Sequence, residues 1–144
     1  MGGLRIVLVE DNQADAFLLN EILLEARLVF DLEVFTDGCR AKEFFAQEAR
    51  TDMIFLDLNV PNLDTLEFLD LLATRGVSPP VPVVALSGAE PMPNLARELE
   101  RRGVADILIK PANIDEMVRM GEKVKEVLSS AHNSEPGVNT QPNP

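Results

Sequence analysis

The sequence predicts an α/β fold in which a parallel sheet carries helices on both faces. Two observations support this prediction. Five short apolar runs alternate with segments whose apolar residues recur every three or four positions, and these patterns are typical of strands and of amphipathic helices. The first run, Arg5–Val9, is short, β-branched and almost uninterrupted, as expected for a strand that is buried on both faces of a parallel sheet. Such an alternation builds the sheet through right-handed crossovers.

Each element follows from a local pattern. The first strand is predicted at Arg5–Val9, and the periodic segment that begins at Gln13 predicts the first helix. Gly76 and Gly103 are expected to end the third and fourth helices, because glycine tolerates the left-handed conformation that often follows a helix. The remaining strands are expected at about residues 32–36, 53–57, 83–87 and 105–109, and the remaining helices around residues 41–49, 66–73, 95–99 and 114–128.

A single folded domain is expected over residues 1–128, because a chain of 144 residues can enclose one hydrophobic core of ordinary size but not two. Asn113 is expected to cap the last helix, with Glu116 completing a capping-box-like pair. Residues 129–144 contain much Ser, Asn and Pro and few apolar side chains, so a disordered C-terminal tail is expected there. Phenylalanines of the predicted helices are expected in the core: Phe17, Phe44, Phe45 and Phe68.

The charge of the chain argues against nucleic acids and membranes as partners. Acidic residues number 24 and basic residues 13, so the formal net charge is −11, and this field repels phosphate backbones and anionic lipids. Cys39 is the single cysteine and cannot form an internal disulfide. The sequence has neither a signal-peptide layout nor an apolar run of membrane-spanning length, so a cytoplasmic location is expected.

Polar residues follow the predicted strands at the point where each strand ends. Glu10 and Asp11 follow the first strand, Asp57 ends the third, Ser87 ends the fourth and Lys110 follows the fifth. Because the carboxyl ends of parallel strands share one edge of the sheet, these side chains are expected to meet in one crevice. Taken singly, Glu10 and Asp11 would be acids that complement the dipole of the next helix, but the shared position of all five residues favours a site.

Three carboxylates in one crevice repel one another and require a cation. Oxygen ligands without a Cys or His cluster favour a hard ion, and Mg²⁺ fits a site of few carboxylates better than Ca²⁺. With a metal ion and Lys110 present, the chemistry that fits is transfer of a phosphoryl group to a carboxylate, and Asp57 is the best-placed acceptor. Ser87 would then donate a hydrogen bond to the new phosphoryl group.

The motifs resemble those of response-regulator receiver domains, the phosphoacceptor modules of two-component signalling. The resemblance covers about residues 4–128 and implies a flavodoxin-like, doubly wound fold with a five-stranded parallel sheet in the order 2-1-3-4-5, flanked by five helices. Val7–Asn12 resembles the metal-binding acidic segment and thus implies Glu10 and Asp11 as ligands. Phe55–Pro61 resembles the segment of the phosphorylation site, which implies Asp57 as acceptor and metal ligand and the backbone carbonyl of Asn59 as a further ligand.

Two more segments complete the resemblance. Ala85–Gly88 resembles the switch-hydroxyl segment, with Ser87 as the hydroxyl. Ile109–Pro111 resembles the phosphate-contacting lysine, here Lys110, followed by a proline whose preceding bond is typically cis in this family. The family's usual aromatic switch residue, three positions before the lysine, is Ile107 in this chain, so the way in which the switch is read out is left open.

The resemblance implies a stand-alone, chemotaxis-regulator-like switch that is not an enzyme beyond self-catalysed phosphotransfer and autodephosphorylation. A sensor histidine kinase or a phosphotransfer protein would phosphorylate it, and the product would bind a downstream protein or dimerise. No helix-turn-helix pattern follows residue 128, so direct DNA binding is not expected.

Two other classes share this kind of crevice. A phosphatase of the haloacid dehalogenase type would need a second aspartate two residues after the nucleophile, where this chain has Asn59. A flavodoxin-like FMN carrier would need a phosphate-binding loop after the first strand, where Glu10 and Asp11 would repel the phosphate. Both alternatives rank below the receiver domain.

Overall fold

The computed structural model describes residues 3–47 and 50–133 and contains a five-stranded parallel sheet. Its strands are β1 (Leu4–Val9), β2 (Phe30–Phe35), β3 (Met53–Asp57), β4 (Val83–Ser87) and β5 (Asp106–Ile109). The strands lie in the order β2-β1-β3-β4-β5, and every neighbouring pair is parallel. The predicted fold class and strand order are therefore confirmed. The central strand β3 is buried along its whole length, as its unbroken apolar run predicts.

The sheet is flanked by α1 (Gln13–Glu25), α2 (Gly38–Phe45), α3 (Thr65–Thr74), α4 (Pro93–Arg101) and α5 (Ile114–Asn133). Side-chain oxygens accept hydrogen bonds from free backbone N–H groups at the start of four helices, namely those of Asn12, Asp37, Asp64 and Asn113. The carboxylate of Glu116 accepts a bond of 2.7 Å from the N–H of Ala112, one residue before the cap residue whose N–H a capping box uses. Helix α4 begins differently, with Pro93 in its first turn and no side-chain cap from Met92.

Two glycines lie just beyond the ends of α3 and α4. Gly76 has a φ of 74° and Gly103 a φ of 87°, in the left-handed region that glycine occupies without a steric penalty. After Gly76 the N–H of Val77 donates to the carbonyl of Leu72 at 2.9 Å and satisfies one of the free carbonyls of α3. Both glycines therefore have the predicted place at a helix end.

The sheet separates two apolar clusters. Helices α1 and α5 cover one face, where buried residues such as Ile22 and Val124 pack on β1, β3 and β4. Helices α2, α3 and α4 cover the other face, where Phe45, Phe68 and Leu99 pack on the same sheet. Helices on both faces of a parallel sheet are the doubly wound arrangement that the sequence predicts.

One of the phenylalanines expected in the core lies outside it. Phe45 and Phe68 are buried and Phe44 is half-buried, but Phe17 is 67% exposed. The inner face of α1 is filled by Leu19, Ile22 and Leu23. At 3.6 residues per turn Phe17 lies roughly 200° around the helix from Leu19, so its ring faces away from the sheet. The expectation for Phe17 was wrong.

Two further expectations need correction. Helix α5 continues to Asn133, five residues beyond the predicted end at Leu128, because Ser129, Ser130 and Ala131 do not break a helix. The predicted tail therefore cannot begin at Ser129, and its remainder, residues 134–144, lies outside the described residues.

Within the described chain the cis peptide bonds are Ser78–Pro79 and Pro79–Pro80, and the bond before Pro111 is not among them. In the same part of the chain, no helix combines the length and apolar character that crossing a bilayer requires.

Candidate functional site

A crevice of about 290 Å³ at the carboxyl edge of the sheet brings the predicted site residues together. Backbone pairing continues past the strand ends, since the N–H of Glu10 donates to the carbonyl of Phe35 at 2.9 Å and that of Lys110 donates to the carbonyl of Ser87 at 2.8 Å. The sheet thus fixes the backbone positions from which the side chains of Glu10 and Lys110 extend. The crevice walls include Glu10, Asp11, Asp57, Asn59, Ser87 and Lys110.

The ammonium of Lys110 lies at the centre of the charged groups. Its Nζ atom is 2.5 Å from Oδ2 of Asp57, 2.7 Å from Oδ2 of Asp15 and 3.1 Å from Oε1 of Glu10. The side chains of Glu10 and Asp57 are 1% and 5% exposed, so they depend on this cation instead of water. One ammonium therefore faces three carboxylates, and the cluster keeps an excess of negative charge.

Burial and neighbouring charges shift the titration of the two buried carboxyl groups in opposite directions. Burial raises the pKa of Glu10 to about 7, helped by the Asp57 carboxylate, to which a protonated Glu10 would donate. Burial also acts to raise the pKa of Asp57, but hydrogen bonds from Glu10, from Lys110 and from the N–H of Asn59 outweigh it and lower that pKa. Asp57 is therefore the carboxylate of the pair that stays ionised.

The pKa of Lys110 is raised above its ordinary value. Burial of the ammonium acts in the opposite direction, but the hydrogen bonds to Asp15 and Asp57 and the ion pair with Glu10 outweigh it. Lys110 is consequently a fixed positive charge at neutral pH.

The residues present fit a hard divalent cation. Carboxylate oxygens of Glu10, Asp15 and Asp57 lie within 4.8 Å of one another. Oε1 of Glu10 is buried and accepts no hydrogen bond, although Nζ of Lys110 lies 3.1 Å away. A buried anionic oxygen without a hydrogen bond and an all-oxygen donor set are features that a cation such as Mg²⁺ or Mn²⁺ would satisfy.

The other predicted residues line the crevice without joining this cluster. Asp11 is exposed and stands outside the group of three close carboxylates. Asn59 donates its backbone N–H to Oδ1 of Asp57 at 2.7 Å, which orients that carboxylate. Ser87 donates its hydroxyl to the carbonyl of Ala89 at 2.5 Å, so in this state the hydroxyl is held by its own loop.

Asp15 is the member of the site that sequence reasoning missed. It lies in the first turn of α1, and its N–H donates to the Asn12 side chain at 2.9 Å. In the sequence it is one of several polar residues on the outer side of an amphipathic helix. The available signal was its position in the first turn of the helix that starts at the site, since that turn lies beside the strand ends.

A larger open depression, of about 1190 Å³, lies at the opposite edge of the sheet beside residues 78–82 and the last turns of α5. Its charged wall residues include Asp106 and Glu126 but no cluster of three metal-ligating side chains. Within the described residues the only such cluster is the one at Glu10, Asp15 and Asp57. The chemistry is therefore concentrated in the smaller crevice.

The fold and this crevice together define a class of protein. Residues 6–122 match the response regulator receiver domain family, and the chain belongs to that family. Receiver domains are switches of two-component signalling and not classical enzymes, so this membership favours the expected switch over the phosphatase and FMN-carrier alternatives.

Several relatives of known identity are similar over most of the chain. Response regulator Rcp1 of Synechocystis sp. is 29% identical over 126 residues, which cover 83% of this chain and 85% of Rcp1. The probable methanogenesis regulatory protein FilR2 of Methanothrix harundinacea is also 29% identical, with 84% and 81% covered. A protein-glutamate methylesterase/protein-glutamine glutaminase of Anaeromyxobacter dehalogenans is 35% identical over 74% of this chain, but the chain spans only 29% of that longer protein.

Solved structures agree with this assignment. The Mn²⁺-bound form of Rcp1 superposes with a TM-score of 0.73 at 27% identity and covers 85% of this chain and 92% of Rcp1. The phosphorylated cyanobacterial phytochrome response regulator RcpA superposes with a TM-score of 0.76 at 26% identity and covers 99% of this chain and 100% of RcpA. One similar protein is thus metal-bound and the other phosphorylated.

Proposed function

We propose that this receiver domain accepts a phosphoryl group on Asp57 from a sensor histidine kinase or a phosphotransfer protein in a Mg²⁺-dependent reaction. The observation that carries the proposal is that the Asp57 carboxylate is both buried and ionised at the wall of the crevice. Its carboxylate is 5% exposed, stays ionised because its pKa is lowered, and lines an open crevice beside a lysine ammonium. A buried but ionised carboxylate at the wall of a crevice is suited to act as a nucleophile.

The transfer follows from the contacts of Asp57. A carboxylate oxygen attacks phosphorus, the bond from phosphorus to the donor's imidazole nitrogen breaks, and an acyl phosphate forms on Asp57. Oδ1 is oriented by the N–H of Asn59, whereas Oδ2 is paired with Lys110. The ammonium of Lys110 would exchange its contact with the carboxylate for a contact with the phosphoryl oxygens and would neutralise their charge.

Glu10, Asp11, Asp57 and the backbone carbonyl of Asn59 are the proposed ligands of Mg²⁺. The buried oxygen of Glu10 that accepts no hydrogen bond supports this set, and the Mn²⁺-bound form of Rcp1 supports a divalent ion in this family. When bound, the ion would draw negative charge from the transferring phosphoryl group. The same residues would permit autodephosphorylation by water that enters the open crevice.

Ser87 is the proposed link from phosphorylation to output. Its hydroxyl now donates to the carbonyl of Ala89, and a phosphoryl group on Asp57 would offer a stronger acceptor. Giving up the first bond for the second would move the loop after β4. Ile107 lies half-buried against the cluster of α2, α3 and α4, so the output would depend on this loop and not on an aromatic ring.

The proposed output is phosphorylation-dependent contact with a downstream protein or with a second copy of the chain. The excess negative charge supports a protein partner over nucleic acid or membrane. A cytoplasmic location stays a prediction of the sequence.

Intact-mass measurement tests the phosphoacceptor. The full chain is incubated with acetyl phosphate and Mg²⁺, and the wild type is expected to gain one base-labile phosphoryl group, whereas Asp57→Asn gains none. Asp52→Asn is a matched control, because Asp52 precedes the same strand but its carboxylate bonds to Arg5 and Arg50 at the other edge. A wild type that gains no phosphoryl group, or an Asp57→Asn variant that gains one, would overturn the proposal.

A further inference from the structure

We propose that Asp15 is a positioning residue for Lys110: it holds the ammonium of Lys110 when a divalent cation takes the oxygens of Glu10 and Asp57. The inference rests on the proposed Mg²⁺ site and adds to it a residue outside the proposed ligand set. Asp15 would act through Lys110 and not as a metal ligand.

The geometry divides the three carboxylates around Lys110 into two kinds. Glu10 and Asp57 have side chains that are 1% and 5% exposed and lie at the base of the crevice. The side chain of Asp15 is 32% exposed and lies at the rim, on α1. The distance of 2.7 Å from Nζ of Lys110 to Asp15 is as short as a charge-assisted hydrogen bond. Lys110 thus already has a partner away from the buried pair.

Asp15 is held in place independently of Lys110. Its backbone N–H donates to the side chain of Asn12 at 2.9 Å, which fixes the first turn of α1. Beside Asp15 and Lys110 lies a small cavity that also reaches Glu10 and whose remaining wall is apolar: Leu18, Leu19, Ile22, Leu86, Pro111 and Met120. This wall offers no side-chain acceptor stronger than the thioether sulfur of Met120, so carboxylates are the strong side-chain partners of the ammonium there.

A bound divalent cation and the ammonium of Lys110 would compete for the carboxylates of Glu10 and Asp57. A divalent cation on Glu10 and Asp57 repels the ammonium that now contacts both of them. With Asp15 present, Lys110 keeps one charged partner and stays near Asp57, ready for the phosphoryl oxygens. Without Asp15, the ammonium would lose its remaining carboxylate partner or would stay against the metal ion, and either outcome weakens metal binding.

The alternative is that Asp15 itself ligates the ion, since one of its oxygens lies within 4.8 Å of oxygens of Glu10 and Asp57. The two roles differ in their dependence on Lys110. A positioning role requires the lysine, whereas a ligand acts without it. A double-mutant cycle separates them.

The cycle uses the full chain and measures the dissociation constant of Mg²⁺ by isothermal titration calorimetry for wild type, Asp15→Asn, Lys110→Met and the double variant. Asp15→Asn is expected to weaken Mg²⁺ binding about tenfold when Lys110 is present and by clearly less in the Lys110→Met background, where only the direct attraction between the Asp15 carboxylate and the ion is lost. A loss of equal size in both backgrounds, or no loss when Lys110 is present, would overturn the inference.

Two variants control for charge and structure. Asp15→Glu keeps the carboxylate and is expected to restore most of the affinity. Glu25→Gln removes the same charge from the last turn of α1, about 15 Å along the helix, and is expected to leave affinity unchanged. A loss with Glu25→Gln as large as that with Asp15→Asn would mean a general effect of charge and would contradict the inference.

A second measurement does not depend on the folding of Lys110→Met. In protein labelled with ¹⁵N at lysine, the ammonium resonance of Lys110 is expected to persist on adding Mg²⁺ to the wild type and to be lost by fast hydrogen exchange in Asp15→Asn. Persistence in both proteins would overturn the role of Asp15 while leaving the Mg²⁺ site intact. Failure of the wild type to bind Mg²⁺ would overturn the proposed function and this inference together.

Discussion

At the scale of single residues, the site is a balance of charge around one lysine. Lys110 compensates Glu10, Asp15 and Asp57, two of which are almost fully removed from water. Removing one partner from a buried ionic cluster leaves the others without compensation, which costs more than the loss of an exposed ion pair. The residues proposed to serve phosphotransfer are therefore expected to affect stability as well.

Lys110→Met is expected to lower the free energy of unfolding of the metal-free protein by about 2–4 kcal/mol, because buried carboxylates lose their cation while the apolar part of the side chain is kept. Urea denaturation without divalent ions measures this loss. Lys123→Met is the matched control, since Lys123 is exposed on α5, and a change within about 0.5 kcal/mol is expected for it. Equal small changes for the two variants would show that the cluster does not depend on Lys110.

At the scale of elements, α2 is held close to the loop that follows β3. Gly38, its first residue, donates its N–H to the carbonyl of Pro61 at 3.1 Å. A Cβ atom at Gly38 would lie 2.3 Å from the carbonyl oxygen of Asn62, which is backbone and cannot rotate away. By contrast, a Cβ at Gly88, next to Ser87, would meet nothing within 4 Å. The space around Gly88 is therefore open, whereas that around Gly38 is filled by backbone.

Gly38→Ala is therefore expected to cost about 1–3 kcal/mol of stability, because the helix or the loop must move apart to admit a methyl group. Gly88→Ala adds the same methyl group in open space and is expected to change stability by no more than about 0.5 kcal/mol. Thermal or urea unfolding compares the two variants. If Gly88→Ala were the more destabilising one, the close approach of α2 to the loop would be wrong.

At the scale of the whole molecule, stability comes from two apolar clusters that share one sheet. The cluster under α2, α3 and α4 contains a series of edge-to-face ring contacts from Phe44 to Phe45 and from Phe45 to Phe68, with ring centroids 5.0 Å and 6.0 Å apart. Phe68 is fully buried, whereas Phe17 lies on the outer side of α1 and is 67% exposed. The two phenylalanines thus contribute differently although both lie on amphipathic helices.

Phe68→Ala is expected to destabilise the protein by about 3–5 kcal/mol through lost burial and the cavity that remains. Phe17→Ala is expected to change stability by no more than about 0.5 kcal/mol, because its ring is mostly in water already. Chemical denaturation of both variants tests the arrangement of the core. A loss for Phe17→Ala that approached the loss for Phe68→Ala would mean that α1 presents a different face to the sheet.

The sequence by itself determined the order of elements, the parallel sheet and the strand ends that carry Glu10, Asp57, Ser87 and Lys110. These features could be predicted because they depend on patterns that are local in the chain: apolar runs, helical periodicity, caps and glycines. The edge of a parallel sheet then follows from topology alone, since all strands point the same way. Even the strand Met53–Asp57 was predicted to the residue, because a run buried on both faces ends sharply where a charge begins.

Only the tertiary structure decided which carboxylates meet and which helix faces are buried. The pairing of Asp15 with Lys110 joins residues 95 positions apart, and the place of Asp15 in the first turn of α1 does not by itself reveal this partner. The exposure of Phe17 depends on the rotation of α1 about its own axis, which sets the helix face that meets the sheet. Packing against the sheet fixes that rotation, and the periodicity of the sequence alone does not. The sequence thus determines which residues lie at the carboxyl edge of the sheet, while packing determines which of their charges lie close enough to interact.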